Sequence, residues 1–77
     1  MKIKVKEYSD EKNDYVYEER EVVAQYRYLK DGDKLSCIKD KVYNCIGYDD
    51  GMLAIVDETG EAYLYDKEDF ELVADTK

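Results

Sequence analysis

The chain opens on a strict alternation in which Lys2, Lys4 and Lys6 interleave with Ile3 and Val5. That is the period-two pattern of a strand with one face turned inward. Residues 2–8 therefore predict a strand whose three lysines share a solvated face, an arrangement that discourages edge-to-edge aggregation. Ser9 to Asp14 is polar and turn-like. Tyr15-Val16-Tyr17 has the makings of a second short strand, but Glu18-Glu19-Arg20-Glu21 has no apolar content. Residues 1–20 thus read as an N-terminal arm or extra strand, loosely attached to the rest of the chain.

Residues 22–29 fit two templates. Val22, Tyr26 and Leu29 have helical spacing, while Val22, Ala24, Tyr26 and Tyr28 alternate as on a strand. The strand is the better reading, because Val and Tyr suit a pleated surface. Lys30-Asp31-Gly32-Asp33-Lys34 predicts a turn, and Leu35, Cys37 and Ile38 mark an irregular loop with apolar anchors. Residues 42–48 and 52–57 predict strands joined by Asp49-Asp50-Gly51, a hairpin-turn composition in which Gly supplies positive φ. Glu58-Thr59-Gly60 turns the chain into a third strand over residues 61–65, which makes an antiparallel meander. Asp66 then suits the N-cap of a single helical turn with acids in its first positions. Phe70, Leu72 and Val73 resume the alternation and predict a last strand closing the sheet. Alternation places Tyr43 with Cys45, and Leu53 with Ile55, on single faces, so Tyr43, Leu53, Ile55 and Phe70 are the expected core. The expected fold is mainly β: a small antiparallel barrel of five to six short strands, with one 3₁₀ or helical turn near the C-terminus.

Composition narrows the picture. With 77 residues there is room for one domain, since a core below roughly 80 residues supplies only about 3–5 kcal/mol of net stability. Charged residues are 42% and net charge is −8, yet 44% of positions are hydrophobic and nine are Tyr. That apolar content predicts a folded chain. No stretch resembles a signal peptide or a membrane span, which points to a cytoplasmic protein with no membrane partner. Twenty acids against twelve bases argue against direct nucleic-acid binding, which needs clustered Lys or Arg.

Candidate chemistry is sparse. Cys37 and Cys45 read as free thiols in a reducing compartment. The chain has no His, so a Cys/His zinc site lacks ligands and Ser9, Ser36 and both cysteines lack an imidazole base. Asp49, Asp50, Asp57 and Glu58 resemble metal ligands or an acid/base pair. The meander, however, sets those two turns at opposite ends of one strand, roughly 20 Å apart at about 3.3 Å per residue. Asp31-Gly32-Asp33 does not meet the EF-hand pattern. The expectation is no metal, no cofactor and no catalytic residue.

From Val22 to Val73 the chain resembles the small, uncharacterised SH3-like β-barrel proteins of Gram-positive bacteria and their mobile elements. The residues that carry the resemblance are residues 35–43, Gly47, Gly51, Asp57-Glu58-Thr59-Gly60-Glu61, Tyr63-Leu64-Tyr65 and Phe70-Glu71-Leu72-Val73. It implies an SH3-like barrel over residues 21–77, with Tyr65–Phe70 as the 3₁₀ turn before the last strand and Lys30–Lys41 as the long first loop. It also implies that Cys37 and Cys45 are small core residues, standing where such proteins usually carry Leu or Val. Asp66 stands where they often have Pro, Asp40 where they often have Gly, and Met52-Leu53-Ala54 where they often carry an aromatic and a basic residue. The Trp and the Ala-Leu-Tyr-Asp-Tyr motif of signalling SH3 domains are absent, so proline-rich peptide binding does not follow from the shared barrel.

The tyrosines are the most informative surface signal. Tyr15/Tyr17, Tyr26/Tyr28 and Tyr63/Tyr65 are spaced by two, so each pair points to one face of its strand. Tyr is enriched at interaction surfaces because its ring offers large area at low entropic cost. Tyr26, Tyr28, Tyr48, Tyr63 and Tyr65 are accordingly the candidate partner-binding residues of a non-enzymatic protein-interaction module. The arm, which must hide Ile3 and Val5 on some sheet edge, offers a route to a homodimer. The alternative function is an acidic inhibitor of a mobile element, of anti-restriction or anti-CRISPR type, with Asp49, Asp50, Glu58 and Glu61 imitating nucleic acid.

Overall fold

Seven strands and one 3₁₀ turn are arranged in two antiparallel sheets in the computed structural model, which describes residues 1–31 and 35–76. The turn expected over residues 30–34 falls largely on Gly32, Asp33 and Lys34, outside the described residues, as does the centre of Asp31-Gly32-Asp33. The strands are β1 (Lys2–Ser9), β2 (Asp14–Glu21), β3 (Ala24–Tyr28), β4 (Val42–Asp49), β5 (Met52–Val56), β6 (Ala62–Tyr65) and β7 (Phe70–Asp75).

The arm is a hairpin rather than a single added strand. β1 and β2 form their own two-stranded sheet, in register from Lys2↔Glu21 to Ser9↔Asp14. The acidic run expected to be loose is therefore strand, for a reason apolar alternation does not reveal. The register sets Lys2 opposite Glu21 and Lys4 opposite Glu19, and opposite charges directly across a ladder favour pairing. At the far end the Tyr8 and Tyr15 rings meet edge to face, with centroids 5.4 Å apart.

The larger sheet has the order β6-β5-β4-β3-β7. The expected meander is there as β4-β5-β6, and residues 24–28 are strand. β4 and β5 are joined by Asp50 (φ 52) and Gly51 (φ 77), the two positive-φ residues of a type I′ turn, whose twist matches that of the flanking strands. Asp66 caps the 3₁₀ turn Lys67–Asp69, accepting from the Glu68 amide at 3.0 Å. Its φ of −70 is the value a proline ring would fix. β7 then returns beside β3, not beside β6, so the last strand does not close the sheet through hydrogen bonds. The edge strands approach through side chains instead: Tyr65 of β6 and Phe70 of β7 lie edge to face at 5.5 Å.

The core lies on one face of this sheet. Tyr43, Leu53, Ile55 and Phe70 are all buried, together with Ala24, Cys37 and Cys45. Both cysteines are free, and burial pushes both thiols up from their usual range, which suits inert packing rather than reactivity. In the 35–38 loop only Cys37 is buried, while Leu35 and Ile38 are exposed.

The hairpin docks on this sheet through a few defined contacts. Val5 and Val22 are fully buried and the Lys6 amide donates to the Gly60 carbonyl at 2.9 Å, while the Val22 amide, donating to the Met1 carbonyl at 2.8 Å, extends the β1–β2 ladder by one pair. Gly60 has φ +85, a left-handed conformation that a side chain would strain. No helix among the described residues is long and apolar enough to cross a membrane.

Candidate functional site

Where the hairpin leaves the sheet, an open cleft of about 470 Å³ separates the two. Tyr8, Tyr15 and Tyr63 line it, over a floor that includes Val5, Ile46 and Ala62. Its charged rim is internally balanced: Arg20 pairs with Glu7 at 2.7 Å, and the Lys6 ammonium sits 4.5 Å from the centre of the Tyr15 ring. Tyr8 donates to the Asn13 side chain and Tyr63 donates to Glu61. The hydrogen bond to Glu61 holds the Tyr63 phenol above its usual range, and with its proton given to Glu61 the hydroxyl oxygen is left to accept from a partner. The lining thus offers three aromatic rings, the hydroxyls of Tyr8 and Tyr63 anchored within the molecule, suited to van der Waals and hydrogen-bond contacts.

The five candidate tyrosines separate into distinct environments. Tyr26, Tyr28 and Tyr65 pack half-buried around Phe70, with ring centroids 6.5, 5.1 and 5.5 Å from its own. Tyr48 is exposed at the rim, its hydroxyl 3.1 Å from that of Tyr26. A bulge between Cys45 and Gly47 brings it onto the face of Leu53, and the Tyr26 contact, with burial second, pushes its phenol up. Only Tyr63 of the five lines the cleft. Tyr8 and Tyr15 complete it from the arm, and the spacing of either residue in the sequence says nothing of this.

The acidic candidates are also divided. Asp49 and Asp50 belong to the β4–β5 turn, whereas Glu58 and Glu61 belong to the β5–β6 turn at the other end of β5. Glu58 is engaged inside the molecule: it accepts from the Lys41 ammonium at 2.6 Å and from the Tyr43 hydroxyl at 2.5 Å. Those two bonds hold its carboxyl below the usual range. Tyr43 in turn accepts from the Ile38 amide at 2.7 Å, and the Glu58 amide donates to the Ser36 carbonyl at 2.8 Å. The group is a clamp that fastens the 35–41 loop to the β5–β6 turn. Beside it Asp57 is buried, accepting from the Thr59 amide at 2.9 Å and from the Tyr65 hydroxyl at 2.7 Å.

Among the described residues no group of three or more Cys, Asp or Glu converges as a metal site. No family model matches the chain, and no curated protein or solved structure is similar to it.

Proposed function

We propose that the protein is a non-enzymatic protein-interaction module whose binding site is the cleft between the N-terminal hairpin and the sheet. The observation that carries this reading is the convergence of Tyr8, Tyr15 and Tyr63 on one concavity. Tyrosines gathered in a groove supply the rigid, amphipathic area that interfaces use. The sheet itself is proposed to be a partly open SH3-like barrel. Its strand order, the 3₁₀ turn before the last strand and the long loop between β3 and β4 support that reading. Nucleic-acid mimicry has less support, because its four candidate acids lie at both ends of β5 and Glu58 is already held by Lys41 and Tyr43.

A chemical-shift experiment tests the cleft. In lysate-derived fractions that perturb the spectrum of the labelled protein, the shifts should centre on Tyr8, Tyr15, Ile46 and Tyr63. Tyr15→Ala and Tyr63→Ala should abolish them, and Tyr48→Ala should not. Perturbations confined to Asp49, Asp50 and their neighbours, lost at high salt, would favour the acidic reading instead.

A further inference from the structure

The backbone register shows which strand edges still have hydrogen bonds to give. The Asp57 amide donates to the Glu61 carbonyl at 3.2 Å, so Glu61, Tyr63 and Tyr65 face β5 with their backbone groups. Antiparallel ladders alternate, and the amides and carbonyls of Ala62 and Leu64 therefore point away from the sheet. The same alternation applies to β1, where the Lys6 amide points away from β2 and already reaches the Gly60 carbonyl. That bond is the sole main-chain link seen between β1 and the β5–β6 turn among the described residues. Beside it lies the cleft, which Ala62 of β6 and Tyr8 of β1 both line.

The other exposed edges are guarded against strand addition. β1 carries Lys2, Lys4 and Lys6, β2 carries Glu18, Glu19, Arg20 and Glu21, and β7 carries Glu71, Asp75 and an irregular register beside Gln25 and Tyr26. Charges and bulges of this kind are how edges avoid pairing. β6, by contrast, reads Ala62-Tyr63-Leu64-Tyr65, with neither charge nor proline, and Tyr63 and Leu64 are exposed.

From this unguarded edge we infer that β6 receives an extended segment of a partner chain as an added strand, and that the segment carries basic residues five positions apart. The charge requirement comes from the residues that bracket the edge, Glu61 before it and Asp66 after it, in a chain of net charge −8. A second copy supplies no such cations: residues that exchange hydrogen bonds across an antiparallel ladder must both point outward, so self-pairing over β6 sets Ala62 opposite Leu64 and Glu61 opposite Tyr65, and it brings together two chains that each carry −8. The inference rests on the cleft being the binding site, and adds the mode of recognition: main-chain hydrogen bonds for affinity, with side chains seated on Tyr8, Tyr15 and Tyr63 for selectivity.

The test uses two libraries of blocked hexapeptides, one with Lys and one with Glu at the first and sixth positions, the middle four being randomised. Members of the Lys library should bind, more weakly at high salt, and should slow hydrogen exchange at the Ala62 and Leu64 amides. N-methylating the peptide amide that pairs with β6 should weaken binding about tenfold, the equivalent of one hydrogen bond. Leu64→Pro, which removes an outward amide at an edge where proline is tolerated, should do the same, and the N-methylated peptide keeps the test valid should that variant unfold. Peptides that tolerate both changes but lose affinity with Tyr63→Ala would overturn strand addition and leave the cleft reading standing. Failure of both libraries to bind would overturn the two together. Concentration-dependent dimers of the chain alone that Leu64→Pro dissolves would assign the edge to a second copy, against the inference.

Discussion

Tyr65 donates its phenolic proton to Asp57 at 2.7 Å across the β5–β6 turn, and Asp57 is 6% exposed. Burial first, and this bond second, push the Tyr65 phenol far above the usual tyrosine range. Tyr65→Phe leaves a buried carboxylate oxygen without its partner, which costs about 1–3 kcal/mol. In a domain of this size each kcal/mol lowers the melting temperature by about 4–8 °C. A melt of the variant that overlays the wild type would show that solvent reaches Asp57. Because the folded value is raised, the unfolded phenol ionises first, near its ordinary pKa of about 10, and the folded one later. Stability is therefore fully present below that pH and is lost as pH rises beyond it. Absorbance at 295 nm should show tyrosines that ionise only as the protein unfolds, and Tyr43, raised by burial and by Glu58, should be among them.

Ile55 has no exposed surface and sits among Leu53, Tyr43 and Phe70. Ile55→Ala should cost about 2–5 kcal/mol, close to the whole net stability expected of so small a core, about 3–5 kcal/mol. Ile55→Asp, which buries an unpaired charge, should abolish the cooperative transition in a circular-dichroism melt.

The core was legible because β4 and β5 lie mid-sheet. There, alternation alone decides burial, as at Tyr43, Cys45, Leu53 and Ile55. Legibility failed wherever burial depends on a distant element. Spacing by two places Tyr63 and Tyr65 on one face of β6, yet only Tyr65 is covered, because Phe70 returns from β7 to meet it. The bulge after Cys45 shifts the register and brings Tyr48 onto the face that strict alternation denies it. The second arm strand was hidden because Glu19 and Glu21 stand opposite Lys4 and Lys2 across a register that only the folded hairpin supplies, with Glu21 also accepting from the Met1 ammonium. The cleft is the least local feature of all, since its tyrosines come from β1, β2 and β6.

Glu58 sets the response to acid in the 35–41 loop. The Lys41 and Tyr43 hydrogen bonds lower its folded pKa, so the stability it contributes is present above the unfolded value, about 4.3, and is lost as pH falls through the folded one. Wild type should lose melting temperature more steeply than Glu58→Gln as pH falls from 5 to 3. Parallel curves would mean that the clamp adds nothing.

Asp40 has φ 68, and its amide donates to the Tyr28 carbonyl at 2.7 Å. The position needs the left-handed conformation, which costs a residue with a side chain about 1–2 kcal/mol, less for Asp. Asp40→Gly should therefore be neutral or mildly stabilising, and Asp40→Val should be at least about 1 kcal/mol less stable than Asp40→Gly. Equal urea midpoints for the two variants would show that the loop relaxes to accept either.

An arm exchanged between two copies would make the same Lys6–Gly60 bond and bury the same Val5, so solution mass decides the question. The link to the sheet is short: only Val22 and Val23 separate β2 from β3, Val22 is buried, and the Val23 amide is already bonded to the Cys45 carbonyl at 2.9 Å. A hairpin so closely tethered has little reach toward a neighbour and should cover its own sheet. Light scattering should give the 9.1 kDa monomer over a wide concentration range. Deleting residues 1–21 should lower the melting temperature, by uncovering the surface beneath Val5, without halving the mass. A dimer that falls to monomer on that deletion would show instead that the arms are exchanged, and would make the cleft a feature of two chains.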